Sequence, residues 1–373
     1  MMSWSGVIER RTIVTQFPTP QMGTSVPRSQ AREATRIVTY DRDKRGTTDI
    51  MTQANLGVVY IGGSGRSGST LLLRLLGALE GYMPVGEISY IWTQHFLKDH
   101  LCGCGQPFHA CEFWNAVMVD AFGGMDHVDA QYISALQHSV QAQRHFPLMA
   151  FPRLRSADFQ RRLREYTDIL GSLYRSIQNV SHCNEIVDSS KSPNYALAVA
   201  EMDSAKLKMI HLVRDSRACA YARQAKRRRI DNDGNVTPIP GDNCLKTALN
   251  WNSAEAAMAL VANRVAMYTT VRYEDLATNP QGVLAAVANT LGVANPAFPF
   301  ISDHTVNLEP DHVLWGNPSR MSHGSIAIRP DTEWQERMAS LGKLEVTVTT
   351  LPWLLKYRYL INGSESPALS RVS

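Results

Sequence analysis

The 373-residue sequence has no apolar run approaching the roughly 18 to 20 residues that cross a bilayer, so no membrane span is expected. Its first thirty residues mix Arg, Gln, Pro and Thr and lack the apolar centre of a secretory signal. Six cysteines are too few for a disulfide framework in a chain this long, and the expected location is cytoplasmic. Charge is also sparse. Asp, Glu, Lys and Arg make up 19% of residues, with a net charge of +4 and a pI near 8.7. That balance suits an anionic ligand and is too weak to imply nucleic acid. Internal repeats and low-complexity tracts are absent. What remains is a 44% hydrophobic chain able to bury a sizeable core.

Short apolar runs at residues 58–61, 82–85, 185–187, 209–213 and 267–271 read as strands, and residues 69–80 as the first helix. Such strands, separated by helical stretches, predict an α/β fold: a P-loop-type central parallel sheet flanked by helices on both faces. About a hundred mostly helical residues, 88–182, form an insertion between the second and third strands. The stretch 229–242 reads as a Gly/Pro/Asn/Asp-rich loop, and the irregular text after Asn295 is expected to wrap over a sheet edge. Residues 1–54, with Pro18, Pro20, Pro27 and one β-like run at 36–40, read as a loosely ordered leader. One domain over 55–363 and a tail at 364–373 follow.

The most informative stretch is GGSGRSGST, residues 62–70, between the first strand and the first helix. Its glycines, Gly65 and Gly68 among them, let backbone amides approach an anion, and the helix adds its positive N-terminal end. Ser67, Ser69 and Thr70 offer hydroxyl donors. The spacing from Gly63 to Gly68 matches a Walker A loop, but Ser69 stands where the lysine would reach β- and γ-phosphates. Arg214, rather than an aspartate, closes the fourth strand. Both features argue against nucleoside-triphosphate hydrolysis.

Five segments in order, GSGRSGSTLLLRLL, VDSSKSP, IHLVRDSRA, NWNSA and VRYEDLATNP, resemble the sulfotransferases that use 3′-phosphoadenosine 5′-phosphosulfate (PAPS). The branch resembled includes tyrosylprotein sulfotransferases and bacterial relatives, and the likeness runs over about residues 56–359. It implies sulfuryl transfer without magnesium to a hydroxyl of an organic acceptor: a phenol, a sugar, a lipid alcohol or a peptide tyrosine. Arg66 would then supply charge in place of the missing lysine. The resemblance places Lys191 near the leaving group, at the carboxyl end of the third strand where ligands gather. It makes Glu87, in the Gly-Glu that ends the second strand, the general base. Arg214 would pair with the 3′-phosphate, since guanidinium binds phosphate bidentately. The serine expected eight residues later is Ala222, leaving Ser216 or Arg223 to substitute. Arg320 in GNPSR resembles a late loop that closes on the nucleotide, and Tyr273 in RYEDL a residue near the adenosine. A P-loop kinase-like enzyme and a non-catalytic nucleotide-binding protein are the competing readings.

Three further features invite interpretation. CGCGQPFHAC holds Cys102, Cys104 and Cys111 with His95, His100 and His109 nearby, and three thiols and a histidine can make a tetrahedral zinc site. The C-x-C-x6-C spacing is not that of a ribbon or finger, however, so a buried thiol cluster beside the acceptor channel is expected and no metal. RQAKRRR, residues 223–229, reads as a solvated basic face before it reads as a rim for an anionic ligand. Trp251, Ala254, Met258 and Val261 share a helical stripe that predicts core packing.

Overall fold

Along the first strand, β1 (Leu56–Gly62), side chains alternate between two cores. Val58 and Tyr60 join Ile186, Leu207 and Met209 on one face, whereas Val59 and Ile61 join Val187, Ile210 and Leu212 on the other. A strand covered on both faces must be apolar throughout, which is why these runs read so clearly in sequence. The computed structural model describes residues 56–203, 205–224, 227–230, 236–239 and 241–360. The leader expected over 1–54, its β-like run and the 364–373 tail lie outside the described residues, as do Ala225 and Lys226 of the basic run.

The strands, in chain order, are β1, β2 (Tyr82–Gly86), β3 (Glu185–Lys191), β4 (Ala205–Val213), β5 (Arg227–Ile230), β6 (Val236–Ile239), β7 (Met267–Arg272), β8 (Phe300–Ser302), β9 (Thr305–Leu308) and β10 (Gly324–Ala327). Five of them form the central sheet in the order β2-β3-β1-β4-β7, with every pairing parallel. The expected α/β fold with a central parallel sheet is therefore present.

Helix α1 (Ser69–Gly77), which follows the loop, covers one face of the sheet, and the helical insertion covers the other; its main helices are α2 (Glu112–Phe122), α3 (Ala130–Gln141), α4 (Phe146–Ala150) and α5 (Ala157–Ser181). Trp92, Phe108, Trp114, Tyr166 and Leu170 pack there with essentially no exposure. Each fully buried Leu or Ile side chain stabilises by roughly 1.5 to 3 kcal/mol relative to exposure. After β3 come α6 (Pro193–Ala200), α7 (Ser216–Gln224), α8 (Cys244–Val261), α9 (Tyr273–Thr278), α10 (Pro280–Leu291), α11 (Glu333–Arg337) and α12 (Ser340–Lys356). No helix among the described residues is long and apolar enough to cross a membrane.

Three expectations need correction. The loop read at 229–242 contains half of an antiparallel pair, β5 with β6, because alternation there is masked by Pro and polar residues. The first helix stops at Gly77 instead of 80. A side chain at Gly77 would lie 2.3 Å from Pro84, so β2 packs against the helix end and the chain turns early. The third strand continues past Val187 through Asp188, Ser189 and Ser190, polar residues that are buried, to the partly buried Lys191. The segment after Asn295 does wrap over a sheet edge, where Leu314 bridges in parallel to Gly86 of β2.

Candidate active site

The loop from Gly63 to Gly68 turns where only small residues fit. Gly63 has φ +130, and a Cβ there would meet the Leu212 carbonyl at 2.3 Å. Gly68, at φ +90, precedes α1 without any side-chain cap on the helix, which leaves the N-terminal amides facing the loop. The Ser67 hydroxyl is buried with no hydrogen-bond partner among the described residues, while Ser69 and Thr70 are buried in the first helical turn. Arg66 lies half-buried mid-loop at φ +75, an unusual conformation for a side chain with a Cβ.

The two residues expected to move protons and charge meet directly. Lys191 Nζ donates to Glu87 Oε1 at 2.5 Å and to the Ser189 carbonyl at 2.9 Å. Glu87 and Lys191 are both largely buried, and Lys191 is itself left-handed, at φ +62. Behind them, Asp188 is wholly buried, accepts from Tyr174 Oη and takes the Ser190 amide at 2.7 Å. Burial pushes its carboxyl up to about 6, against the hydrogen bonds from Ser190 and Tyr174 and the nearby Lys191 charge. Tyr60 Oη donates to the Ser192 carbonyl at 2.8 Å, so β1 braces the turn after Lys191.

A late strap, residues 311–320, closes this edge. The Glu87 amide donates to the Leu314 carbonyl at 2.8 Å, and the Leu314 amide to Val85 at 2.9 Å. Gly86 is required there, because a Cβ would lie 2.1 Å from the Leu314 oxygen. Trp315 contacts the rings of Tyr90, His95 and His100. Gly316 is wedged between Glu87 and Thr70, and the Asn317 amide donates to Thr70 Oγ1 at 3.4 Å. The strap is tied to α1 by the buried Arg74, whose guanidinium reaches Asp311 Oδ2 at 2.8 Å and the Glu309 carbonyl at 3.0 Å.

The remaining expected residues fall elsewhere. Arg214 donates to the Arg66 carbonyl at 2.8 Å and to Asp331 Oδ2 at 2.6 Å, with its guanidinium 4.6 Å over the Tyr273 ring. Tyr273 in turn packs under Gly68. These two therefore brace the loop from behind. Arg320 donates to the Leu101 carbonyl at 3.0 Å, apart from Arg214, and burial lowers its pKa. Of the substitutes for Ala222, Ser216 is occupied by Thr350 at 2.7 Å. Arg223 instead approaches the loop, where a Cβ on Gly65 would lie 2.5 Å from its Nη2.

A cavity of about 440 Å³ joins these groups; Gly65, Glu87, Lys191, Tyr90, Arg223 and Trp251 are on its wall. Its size is that of a small-molecule site. Burial and the neighbouring Glu87 charge raise the Tyr90 phenol, keeping it a protonated donor. Ala254 also lines the cavity, so part of the stripe read as core faces this space, whereas Met258 and Val261 are buried as expected. A second cavity of about 520 Å³ holds Tyr273, Arg217, Asp331 and Trp334 but neither Glu87 nor Lys191. The smaller space is the one that Glu87 and Lys191 share. Sequence reading named Glu87 and Lys191 and offered Arg223 as a substitute; it missed Tyr90, Gly316 and the strap, which lack any charge signature.

No curated protein matches the sequence. Among solved structures, the chain is similar to the sulfotransferase domain of the olefin synthase of Synechococcus PCC 7002, at 19% identity and a TM-score of 0.40, covering 80% of this chain and 94% of that one. It is also similar to the sulfotransferase domain of the curacin biosynthetic pathway, at 14% identity and a TM-score of 0.42, covering 80% and 97%. Residues 59–296, from the first strand through the helices after β7, match the sulfotransferase family model. That span exceeds half of the sequence, and the chain belongs to the sulfotransferase family.

Proposed function

We propose that this sulfotransferase takes its sulfuryl group from PAPS and delivers it to a hydroxyl of an organic acceptor. The observation that carries the reading is the contact of Lys191 Nζ with Glu87 Oε1 at 2.5 Å on the wall of the cavity that Gly65 also lines. Transfer forms a bond from the acceptor oxygen to sulfur and breaks the bond from sulfur to the bridging phosphate oxygen. The acceptor proton passes to Glu87, and the electron pair of the broken bond stays on the departing 5′-phosphate. Lys191 supplies a fixed cation where that charge develops, an effect worth a few kcal/mol for one well-placed donor. Loop amides, the Ser67 hydroxyl and Arg66 hold the phosphosulfate, with Arg223 as a further cation at Gly65. Arg214 keeps the loop in shape and faces the 3′-phosphate only by giving up Asp331, which is partly exposed. Tyr90, Trp251 and Ala254 offer the acceptor an aromatic and aliphatic wall, with Asn250 and Thr247 as polar contacts.

Calorimetry with 3′,5′-phosphoadenosine and with magnesium ATP, followed by donor-labelled sulfate transfer to phenolic, sugar and alcohol acceptors, tests the reading. Binding of the bisphosphate and a sulfated product are expected. Tight uptake of magnesium ATP with no heat from the bisphosphate would overturn it.

A further inference from the structure

We propose that Cys102, Cys104, Cys111 and His312 form a structural zinc site. The sequence alone suggested thiols without metal, because the C-x-C-x6-C spacing is not that of a zinc ribbon or finger. The fold supplies a different imidazole. His312 Nδ1 lies 3.4 Å from Cys111 Sγ and 3.7 Å from Cys102 Sγ, although 201 residues separate His312 from Cys111. Cys111 Sγ is also 3.7 Å from the sulfurs of both Cys102 and Cys104. All four ligand atoms fall within 4.8 Å of one another.

The four separations of 3.4 to 3.7 Å match the edges of a coordination tetrahedron. Bonds of about 2.3 Å to sulfur and about 2.0 to 2.1 Å to imidazole nitrogen place sulfurs about 3.8 Å apart and nitrogen about 3.5 Å from sulfur. A disulfide would need two sulfurs at about 2.05 Å, and all three cysteines are free thiols. Three thiolates and one imidazole in this arrangement select zinc over hard cations, which prefer oxygen. Four protein ligands close the coordination sphere, so the role is structural.

The surroundings orient the ligands. The Gly105 amide donates to the Cys102 carbonyl at 2.9 Å with Gly105 at φ +87, a tight turn between the first two sulfurs and the following residues. Gly103 admits no side chain, because a Cβ would lie 2.5 Å from Asp311 Oδ1, and its amide donates to Val313 at 3.0 Å. The His312 ring stacks on Phe113 at 4.7 Å between centroids, and its carbonyl accepts from Trp114 Nε1 at 3.0 Å. Arg320, anchored on Leu101, stands beside the ligand loop, where a cation offsets the net negative charge of three thiolates around a divalent ion. The ion would thus rivet the insertion to the strap that covers Glu87.

The test uses the full chain, purified under reducing conditions without chelator and loaded with zinc sulfate. Elemental analysis after gel filtration is expected to give one zinc per chain, released stoichiometrically when a mercurial titrates the thiols. Cobalt loading should produce the visible ligand-field and sulfur charge-transfer bands of a tetrahedral thiolate site. Cys104→Ser and His312→Ala are expected to weaken retention at least tenfold. The cobalt spectrum of the unaltered protein decides the matter should those variants fail to fold. Substoichiometric zinc in the loaded wild type, an octahedral cobalt spectrum, undiminished zinc in both variants, or a disulfide among the three cysteines under anaerobic purification would each overturn the proposal.

Discussion

Lys191 and Arg66 are both cations held at positive φ, a conformation that costs of order 1 kcal/mol for residues with a Cβ. Such a cost persists only where neighbouring contacts over-determine the backbone. For Lys191 those contacts are visible: Glu87, the Ser189 carbonyl and the Tyr60-braced turn. Glu87→Gln keeps the shape and removes the carboxylate proposed to accept the acceptor's proton. It should lower kcat by roughly 10² to 10⁴-fold while leaving 3′,5′-phosphoadenosine affinity unchanged, measured by transfer assay and calorimetry. Asp188 gives a pH signature of a different kind. Its folded pKa, about 6, lies above the ordinary carboxylate value of 3.8, so the native state binds more protons than the unfolded chain between those limits. Stability is therefore lost as pH rises through that window, by about 3 kcal/mol for a shift of this size. Denaturant titrations from pH 4 to 7 should show this fall in the wild type and a flatter profile in Asp188→Asn. Parallel profiles would remove Asp188 from the account.

Among the elements, β2 and the strap decide whether Glu87 has a fixed place. β2 is an edge strand, and the strap covers its open side through the bonds between Val85, Leu314 and Glu87. Arg74 fastens the strap to α1 through Asp311 and a set of carbonyls. Arg74→Ala strands Asp311 and those carbonyls, and should destabilise the protein by about 3 kcal/mol, as for a broken buried ion pair. Limited proteolysis should then cut first within 309–322; an unchanged cleavage pattern would contradict this fastening. The strap illustrates what sequence pattern conceals. Its grip is backbone to backbone at Leu314 and glycine against side chain at Gly316, and neither leaves a hydrophobic period to read. β3 was likewise half hidden, because its buried polar residues are satisfied from distant elements, Asp188 by Tyr174 of α5 and Ser190 by the Ser89 amide.

For the molecule as a whole, the central sheet and the glycine loop were legible because parallel strands buried on both faces and a glycine turn before a helix impose narrow residue choices. Glu87 and Lys191 were named from the family resemblance together with their places at strand ends. Pairings across long sequence separations were not legible: Arg214 with Asp331, Arg74 with Asp311, and the thiols with His312. The last of these also fixes an order of events. Chains fold from the N-terminus as they are synthesised, and the strap leaves the ribosome only after nearly all of the sheet. Every nascent copy therefore carries its Glu87 edge uncovered through most of translation. Competence would arrive in a late step, when the strap docks, so a product terminated before residue 311 could keep its central sheet and still be inert.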